Sequence, residues 1–151
     1  MVTLTRIKEI TIEICDQYGY PYPSKIILDK RYKYRMAYTH CSKRIIRMNS
    51  YLVQHNSEEI ITALLKHEIC HFKFCDHEAE FIAEVRRMGS HERVETLFPL
   101  INLPFKYIYR CPVCGQNGYG NTKRDTSCGD CSTEYDERYK LILVKINRRI
   151  K

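Results

Sequence analysis

The sequence has no apolar run long enough to cross a bilayer: its longest, such as Ile60 to Leu65 and Leu141 to Val144, fall far short of the roughly 20 residues a spanning helix needs. A membrane-spanning protein is therefore excluded from the expectations. The first residues, Met1-Val2-Thr3-Leu4-Thr5-Arg6-Ile7-Lys8-Glu9, alternate polar and apolar side chains. They have neither the apolar core nor the small-residue cleavage site of a secretory signal. Internal repeats and low-complexity tracts are also absent, and there is no Trp among the 151 residues. What remains, 44% hydrophobic and 28% charged, is the composition of an ordinary globular domain with room for a small appendage.

Cysteine, by contrast, is plentiful, at eight residues. Four of them form Cys111-Pro-Val-Cys114 and Cys128-Gly-Asp-Cys131, the paired spacing of a zinc knuckle. Cys15, Cys41, Cys70 and Cys75 follow no such pattern, and the first three read as small packing residues. Without an export signal, the expectation is a reducing cytoplasm and zinc instead of disulfides. Thirteen residues separate the pairs, and Gly115 and Gly129 suit tight knuckle turns, so the four thiolates are expected to close one structural zinc site.

The net charge of +7 is unevenly placed. Lys25 to Arg47 holds eight basic residues and one acidic, Met48 to Leu100 five and nine, and residues 101 to 151 ten and five. Two basic regions flank an acidic middle, which suits a polyanionic partner bound away from the middle, although a solvated basic surface reads the same way. Lys30-Arg31-Tyr32-Lys33-Tyr34-Arg35 interleaves cations with rings, which suits phosphate contact and base stacking on single strands, a solvated loop being the alternative. Lys123 and Arg124 between the Cys pairs, and Arg148 and Arg149 in the tail, extend the candidate contacts, with Tyr119, Arg138, Lys140, Lys145 and Lys151 alongside.

Hydrophobic periodicity places a first helix over Leu4 to Tyr18, ended by Gly19. Lys25 to Leu28, Arg35 to Thr39 and Ile45 to Asn49 are expected to make a small antiparallel sheet with a hairpin. Asn56 and Glu59 suggest a capping box for a helix from about Ser57 to Phe74, and a second helix runs from Phe81 to Gly89. Ser90 is expected to cap a short third helix towards Leu97, and Pro99 and Pro104 punctuate the exit. A strand at Lys106 to Arg110 and a β-rich run from Tyr139 to Asn147 complete the tail. The expected division is residues 1–104 and 105–151.

The middle helix carries His67-Glu68-Ile69-Cys70-His71, an HExxH arrangement. Residues four apart on a helix face the same way, so His67 and His71 can each offer one nitrogen to a single zinc. Glu68, one step round, can reach a water there and act as general base. The alternative is a pair of exposed histidines on a charged helix. A catalytic zinc takes a third protein ligand, for which His77 is the best placed by sequence, with Asp76, Glu80, Glu84 and Cys75 as competitors. Ten residues beyond His67 on an unbroken helix, His77 would point away. The chain must then turn between Phe72 and Asp76, with Asp76 suited to cap the next helix.

His67-Glu68-Ile69-Cys70-His71 followed by His77-Glu78-Ala79-Glu80-Phe81 resembles the SprT-like metalloproteases, in which a third His heads an HGxxF-type element; the short intervening loop is similar to that of the related WLM-type proteases. Phe81 takes the aromatic position, while Glu78 stands where a Gly is usual. The resemblance implies an α+β fold: a minimal zincin-like domain of N-terminal helix, small antiparallel sheet, HExxH helix and following helices, plus a small β-rich zinc ribbon. It also implies a zinc-dependent endopeptidase acting on proteins bound or crosslinked to DNA, single-stranded or junction-like DNA among them. His67, His71 and His77 would be its ligands and Glu68 its base, with two zinc ions per chain, one catalytic and one structural. His91 and Tyr51 are candidates for the oxyanion partner, and an extended substrate is expected to add to the sheet edge beside Ile45 to Asn49. A monomer in the cytoplasm, associated with the nucleoid, fits this picture. Competing expectations are a zinc-ribbon nucleic-acid-binding module with a non-catalytic HExxH site, and a protease for one protein target without DNA.

Overall fold

A computed structural model of the chain describes residues 1–32, 35–92 and 105–147. It divides into two compact units, Met1–Ile101 and Asn102–Lys151. Lys33, Arg148, Arg149, Lys151, the expected helix towards Leu97 and both exit prolines lie outside the described residues. No helix among the described residues is long and apolar enough to cross a membrane.

The first unit opens with α1 (Leu4–Tyr18). The Thr3 hydroxyl accepts from the Arg6 amide at 3.1 Å, and Gly19, at φ +71°, takes the left-handed turn that ends the helix. Ile7, Ile10, Ile14 and Cys15 form its buried stripe. Three strands follow, β1 (Lys25–Asp29), β2 (Ala37–His40) and β3 (Ile45–Asn49), in the order β1-β3-β2. The hairpin of β2 and β3 is antiparallel as expected, but β1 pairs with β3 in parallel, Ile26 opposite Ile46 and Leu28 opposite Met48, so the sheet is mixed. β2 crosses to the far side and β3 returns between it and β1, which leaves β3 running in the direction of β1.

The expected substrate edge at Ile45–Asn49 is corrected by this order. β3 is the central strand, and its backbone groups are already paired on both sides. β2 is an outer strand of the sheet, and it packs against the helix bearing the motif.

After the short α2 (Ser50–His55) comes α3 (Glu58–Cys70), whose Ile61, Leu64, Leu65 and Ile69 are fully buried. Ser57, not Asn56, caps it: the Ser57 hydroxyl accepts from the Ile60 amide. Asn56 closes α2 instead, donating its side-chain amide to the Leu52 carbonyl at 2.8 Å. α4 (Ala79–Arg87) packs beside α3, with Phe81 and Val85 buried, and Gly89 at φ +71° ends its turn. Asp76 does not cap it; Glu78 holds the N-cap position, without a side-chain hydrogen bond. Ser90 Oγ donates to the Ala63 carbonyl on α3 at 2.7 Å, so its described role is to fasten the end of α4 to α3.

Behind α3, the Tyr20 hydroxyl donates to Glu84 Oε1 at 2.9 Å, and Arg87 grips both carboxylate oxygens at 2.8 and 2.7 Å. Arg87 first, then Tyr20, hold the Glu84 carboxyl down to about 2 against the opposing effect of burial. A depressed carboxyl stabilises the fold fully above its unfolded value near 4.5 and loses that contribution as pH falls towards 2. Glu84→Gln is expected to lower stability by about 1–2 kcal/mol at neutral pH, with the deficit shrinking between about pH 4.5 and 2. Urea unfolding of both proteins across that range checks it; a deficit independent of pH would refute it.

The second unit contains β4 (Tyr107–Arg110), β5 (Asn117–Gly120) and β6 (Ile142–Ile146), all antiparallel, with β4 central. A 3₁₀ turn at Glu137–Tyr139 precedes β6. β5 has no apolar alternation and was not foreseen. Gly118 within it faces Leu141, whose Cδ1 a Cβ there would meet at 2.9 Å, so a larger residue would have to displace the end of that side chain.

Candidate metal centre

Two groups of side chains among the described residues converge tightly enough to hold a metal ion: His67, His71 and His77, and Cys111, Cys114, Cys128 and Cys131. Within each, the ligand atoms all lie within 4.8 Å of one another.

The histidine group is built by one helix and the turn that follows it. His67 lies in the last turn of α3, and His71 is its C-cap. The helix ends four residues earlier than the apolar pattern predicts, because the chain tightens there: the His71, Phe72 and Lys73 amides donate to carbonyls only three residues back, on Glu68, Ile69 and Cys70. This is the turn that brings His77 back over the motif, and it uses neither Gly nor Pro. His67 Nε2 then lies 3.1 Å from His77 Nε2. Beneath all three imidazoles sits the Phe81 ring, its centroid 4.9, 4.6 and 4.7 Å from those of His67, His71 and His77.

The backbone also selects which nitrogen faces the cluster. A carbonyl oxygen can only accept, so His67 Nδ1, 3.0 Å from the His91 carbonyl, and His71 Nδ1, 2.8 Å from the Phe74 carbonyl, must be the protonated nitrogens. Each Nε2 lone pair is left to point inward, the arrangement metal-ligating histidines need. Burial lowers His67 to about 4 and pushes His71 down as well, so both imidazoles are neutral at physiological pH. Tetrahedral zinc with Zn–N near 2.0–2.1 Å sets its nitrogens about 3.3 Å apart, which suits this cluster. The alternative ligands do not join it. Glu84 is held by Tyr20 and Arg87. Cys75 lines a pocket of about 380 Å³ with Tyr38, Thr39, Cys41 and Phe72, and neither Asp76 nor Glu80 is part of the converging group.

Glu68, next to His67 in the chain, is buried, and its carboxylate turns towards the sheet. Its Oε2 accepts from Thr39 Oγ1 on β2 at 2.6 Å, and the same hydroxyl lies 3.1 Å from the Glu68 carbonyl. Burial raises the carboxyl to about 7, while the Thr39 hydrogen bond and the nearby Arg35 charge draw it down. Sequence reading missed Thr39 altogether. A Thr in a strand is ordinary, and nothing local marks it as a partner of a residue 29 positions away.

Of the two oxyanion candidates, His91 contributes its backbone carbonyl to His67 and leaves its side chain exposed, while Tyr51 packs its ring on His55 at 4.1 Å.

In the second unit, Cys111 Sγ lies 3.8 Å from Cys131 Sγ, and Cys114 Sγ lies 3.6 Å from Cys128 Sγ. Sulfurs about 2.3 Å from a tetrahedral zinc sit about 3.8 Å apart, so the four thiols already have the spacing of a closed site. The Val113 amide points at Cys111 Sγ, and Gly115 takes φ +76° to turn the first knuckle. Gly129 is not needed in the same way: its φ is not in the left-handed region, and a Cβ there would meet nothing.

The candidate nucleic-acid contacts are scattered in environment. Lys30 and Lys123 are exposed. Arg31 folds back on Asp29, which also pairs with Arg47, and Arg35 lies over the Tyr38 ring at 5.0 Å. Arg124 is exposed and gives its backbone amide to the Tyr109 hydroxyl. Arg138 pairs with Asp136, and Lys140 pairs with Asp125 and Glu137.

No family model matches the chain. Two curated relatives are both described as SprT-like proteins. One, from Lactiplantibacillus plantarum, is 25% identical over 96 residues, 57% of this chain. The other, from Bacillus velezensis, is 23% identical over 138 residues, 83% of this chain. The match spans 65% of the length of the first relative and 92% of the second. Among solved structures, the metallopeptidase zymogen of Methanocaldococcus jannaschii jannalysin is similar over 54% of this chain and 79% of its own, with 28% identity and a TM-score of 0.47. The chain is thus similar to SprT-like proteins over much of its length.

Proposed function

With SprT-like proteins as the chain's relatives, we propose that it is a zinc-dependent endopeptidase that acts on proteins bound or crosslinked to DNA. The observation that carries the hydrolytic part is the convergence of the three imidazoles of His67, His71 and His77, with the buried Glu68 next to His67 in the chain and outside the converging group. His67, His71 and His77 would hold the ion and Glu68 would act as base, while the four cysteines would hold a second, structural ion. Zinc in the histidine site supplies the Lewis acidity that polarises a peptide carbonyl and makes a water acidic near neutrality. Glu68 accepts the proton of the attacking water and returns it to the departing amine nitrogen. The edge of β2 supplies backbone groups on which an extended substrate can pair, which brings a peptide bond past Glu68.

The DNA part rests on the two basic segments and on the exposed Lys30 and Lys123. A second reading, a protease for a protein target without DNA, is favoured by the neutralisation of Arg31, Arg138 and Lys140 within the fold. Salt separates the two. If phosphate contacts capture the substrate, cleavage of a DNA-bound protein by the zinc-loaded chain is expected to need DNA and to weaken by about tenfold or more between 50 and 200 mM salt. Cleavage of the same protein that is indifferent to DNA and salt would leave the protease and discard the DNA.

A further inference from the structure

The Thr39 hydroxyl is the only side-chain group among the described residues that hydrogen-bonds the Glu68 carboxylate, at 2.6 Å. It also belongs to a different element from everything else in the centre. The three histidines come from α3 and the turn after it, whereas Thr39 comes from β2, the edge strand of the sheet. A Glu side chain on a helix has three torsions and several accessible rotamers, and a general base must hold one of them within a fraction of an ångström of the reacting proton. α3 fixes where the Glu68 chain begins, but nothing on α3 fixes where the carboxylate ends.

We propose that Thr39 is the positioning residue of this centre, aiming the Glu68 carboxylate through its hydroxyl, so that the strand on which a peptide pairs also sets the base. The inference rests on the protease reading for its catalytic consequence but not for the contact itself. Thr39 pairs through its backbone with Ile46 on β3, and its side chain is buried against α3. A peptide strand added to the outer side of β2 would brace the backbone that carries this hydroxyl. Aim and substrate would then be referenced to one strand, which a partner on α3 itself could not achieve.

The test compares Thr39→Val and Thr39→Ser with the native chain. Val has the shape of Thr and favours strands, so the sheet should survive; Ser keeps the hydroxyl. Thr39→Val is expected to lower kcat by about 10- to 100-fold with KM within about twofold, and Thr39→Ser to restore most of it. A readout without turnover accompanies this: the Glu68 carboxyl ¹³C resonance, identified by its loss in Glu68→Gln, should move in Thr39→Val and return in Thr39→Ser. A resonance unmoved in a folded Thr39→Val chain overturns the proposal, as does a kcat loss that Ser fails to rescue. Should Thr39→Val fail to fold, Thr39→Ala takes its place for both readouts. If the resonance responds while even the native zinc-loaded chain cleaves nothing, the contact stands and the protease reading falls.

Discussion

Glu68→Gln is expected to abolish hydrolysis, by about 10³-fold, while the histidine site still takes up zinc. Gln has the volume of Glu, and its carbonyl oxygen can accept the Thr39 hydrogen bond that Glu68 Oε2 now accepts at 2.6 Å. The three imidazoles, set by the His91 and Phe74 carbonyls and the Phe81 ring, are untouched. What disappears is the group able to take a proton. Activity within tenfold of the native chain, at equal zinc content, would remove Glu68 from its role.

The same substitution carries a stability signature in the metal-free chain. Burial raises the Glu68 carboxyl to about 7 from an unfolded value near 4.5. A raised carboxyl favours the fold below the unfolded value and loses that contribution as pH climbs towards the folded one. His67, lowered to about 4, acts in the opposite direction over a similar range, so the native pH profile mixes the two. The difference between Glu68→Gln and the native chain isolates Glu68. Gln is expected to gain in relative stability between about pH 4.5 and 7 and then level off. Chemical denaturation in the presence of a chelator measures it, and a flat difference would mean that the carboxylate is better solvated than its burial implies.

The second large effect concerns the four cysteines. Cys114→Ala, or stripping the metal, is expected to unfold the Asn102–Lys151 unit while leaving the first unit folded. The reason is the size of the cores. The first unit buries Ile7, Ile46, Met48, Leu52, Ile61, Leu64, Leu65, Ile69, Phe81 and Met88 completely. Among its described residues the second buries, of its apolar side chains, only Phe105, Ile108, Tyr109, Cys111 and Cys128, while Ile142, Val144 and Ile146 lie open. So small an apolar core does not outweigh the chain entropy of about fifty residues, and domains of this kind fold on their metal, which contributes about 10–16 kcal/mol of apparent binding energy in zinc-finger peptides. Hydrogen exchange should therefore lose protection at Tyr107–Arg110 and Ile142–Ile146 and keep it in α1 and α3. Retained protection in both strands of the Cys114→Ala chain would refute a structural metal.

Much of both candidate ligand groups was legible because it follows from spacing. Two histidines four apart on a helix share a face whatever the rest of the chain does. Each Cys-x-x-Cys pair sets its own two thiols by the local geometry of its knuckle, whereas the Sγ separations of 3.8 Å between Cys111 and Cys131 and 3.6 Å between Cys114 and Cys128 join one pair to the other and come from the fold of the unit. α1 and the core stripe of α3 were legible for the same reason, since apolar residues at helical period need a common surface to bury. Position along the chain was less exact. Asn56 and Ser57 are adjacent residues of similar capping power, and only the way α2 ends against α3 assigns one to each helix.

The sequence by itself thus marked His67 and His71 on one helix face, the carboxylate next to the first of them, each Cys-x-x-Cys pair, and which helical faces are buried, because each depends on residues within one turn of helix or one knuckle. The tertiary structure decided the rest. It decided strand order, and with it that β2 and not β3 offers an edge, because pairing depends on the path of the whole chain and alternation looks the same in central and edge strands. It decided how His77 returns, because three short-range backbone bonds end α3 early without any residue that announces a turn. It also decided that Thr39 faces Glu68 across 29 positions, because a hydroxyl 2.6 Å from a carboxylate is a property of a strand packed on a helix and leaves no mark on either segment alone.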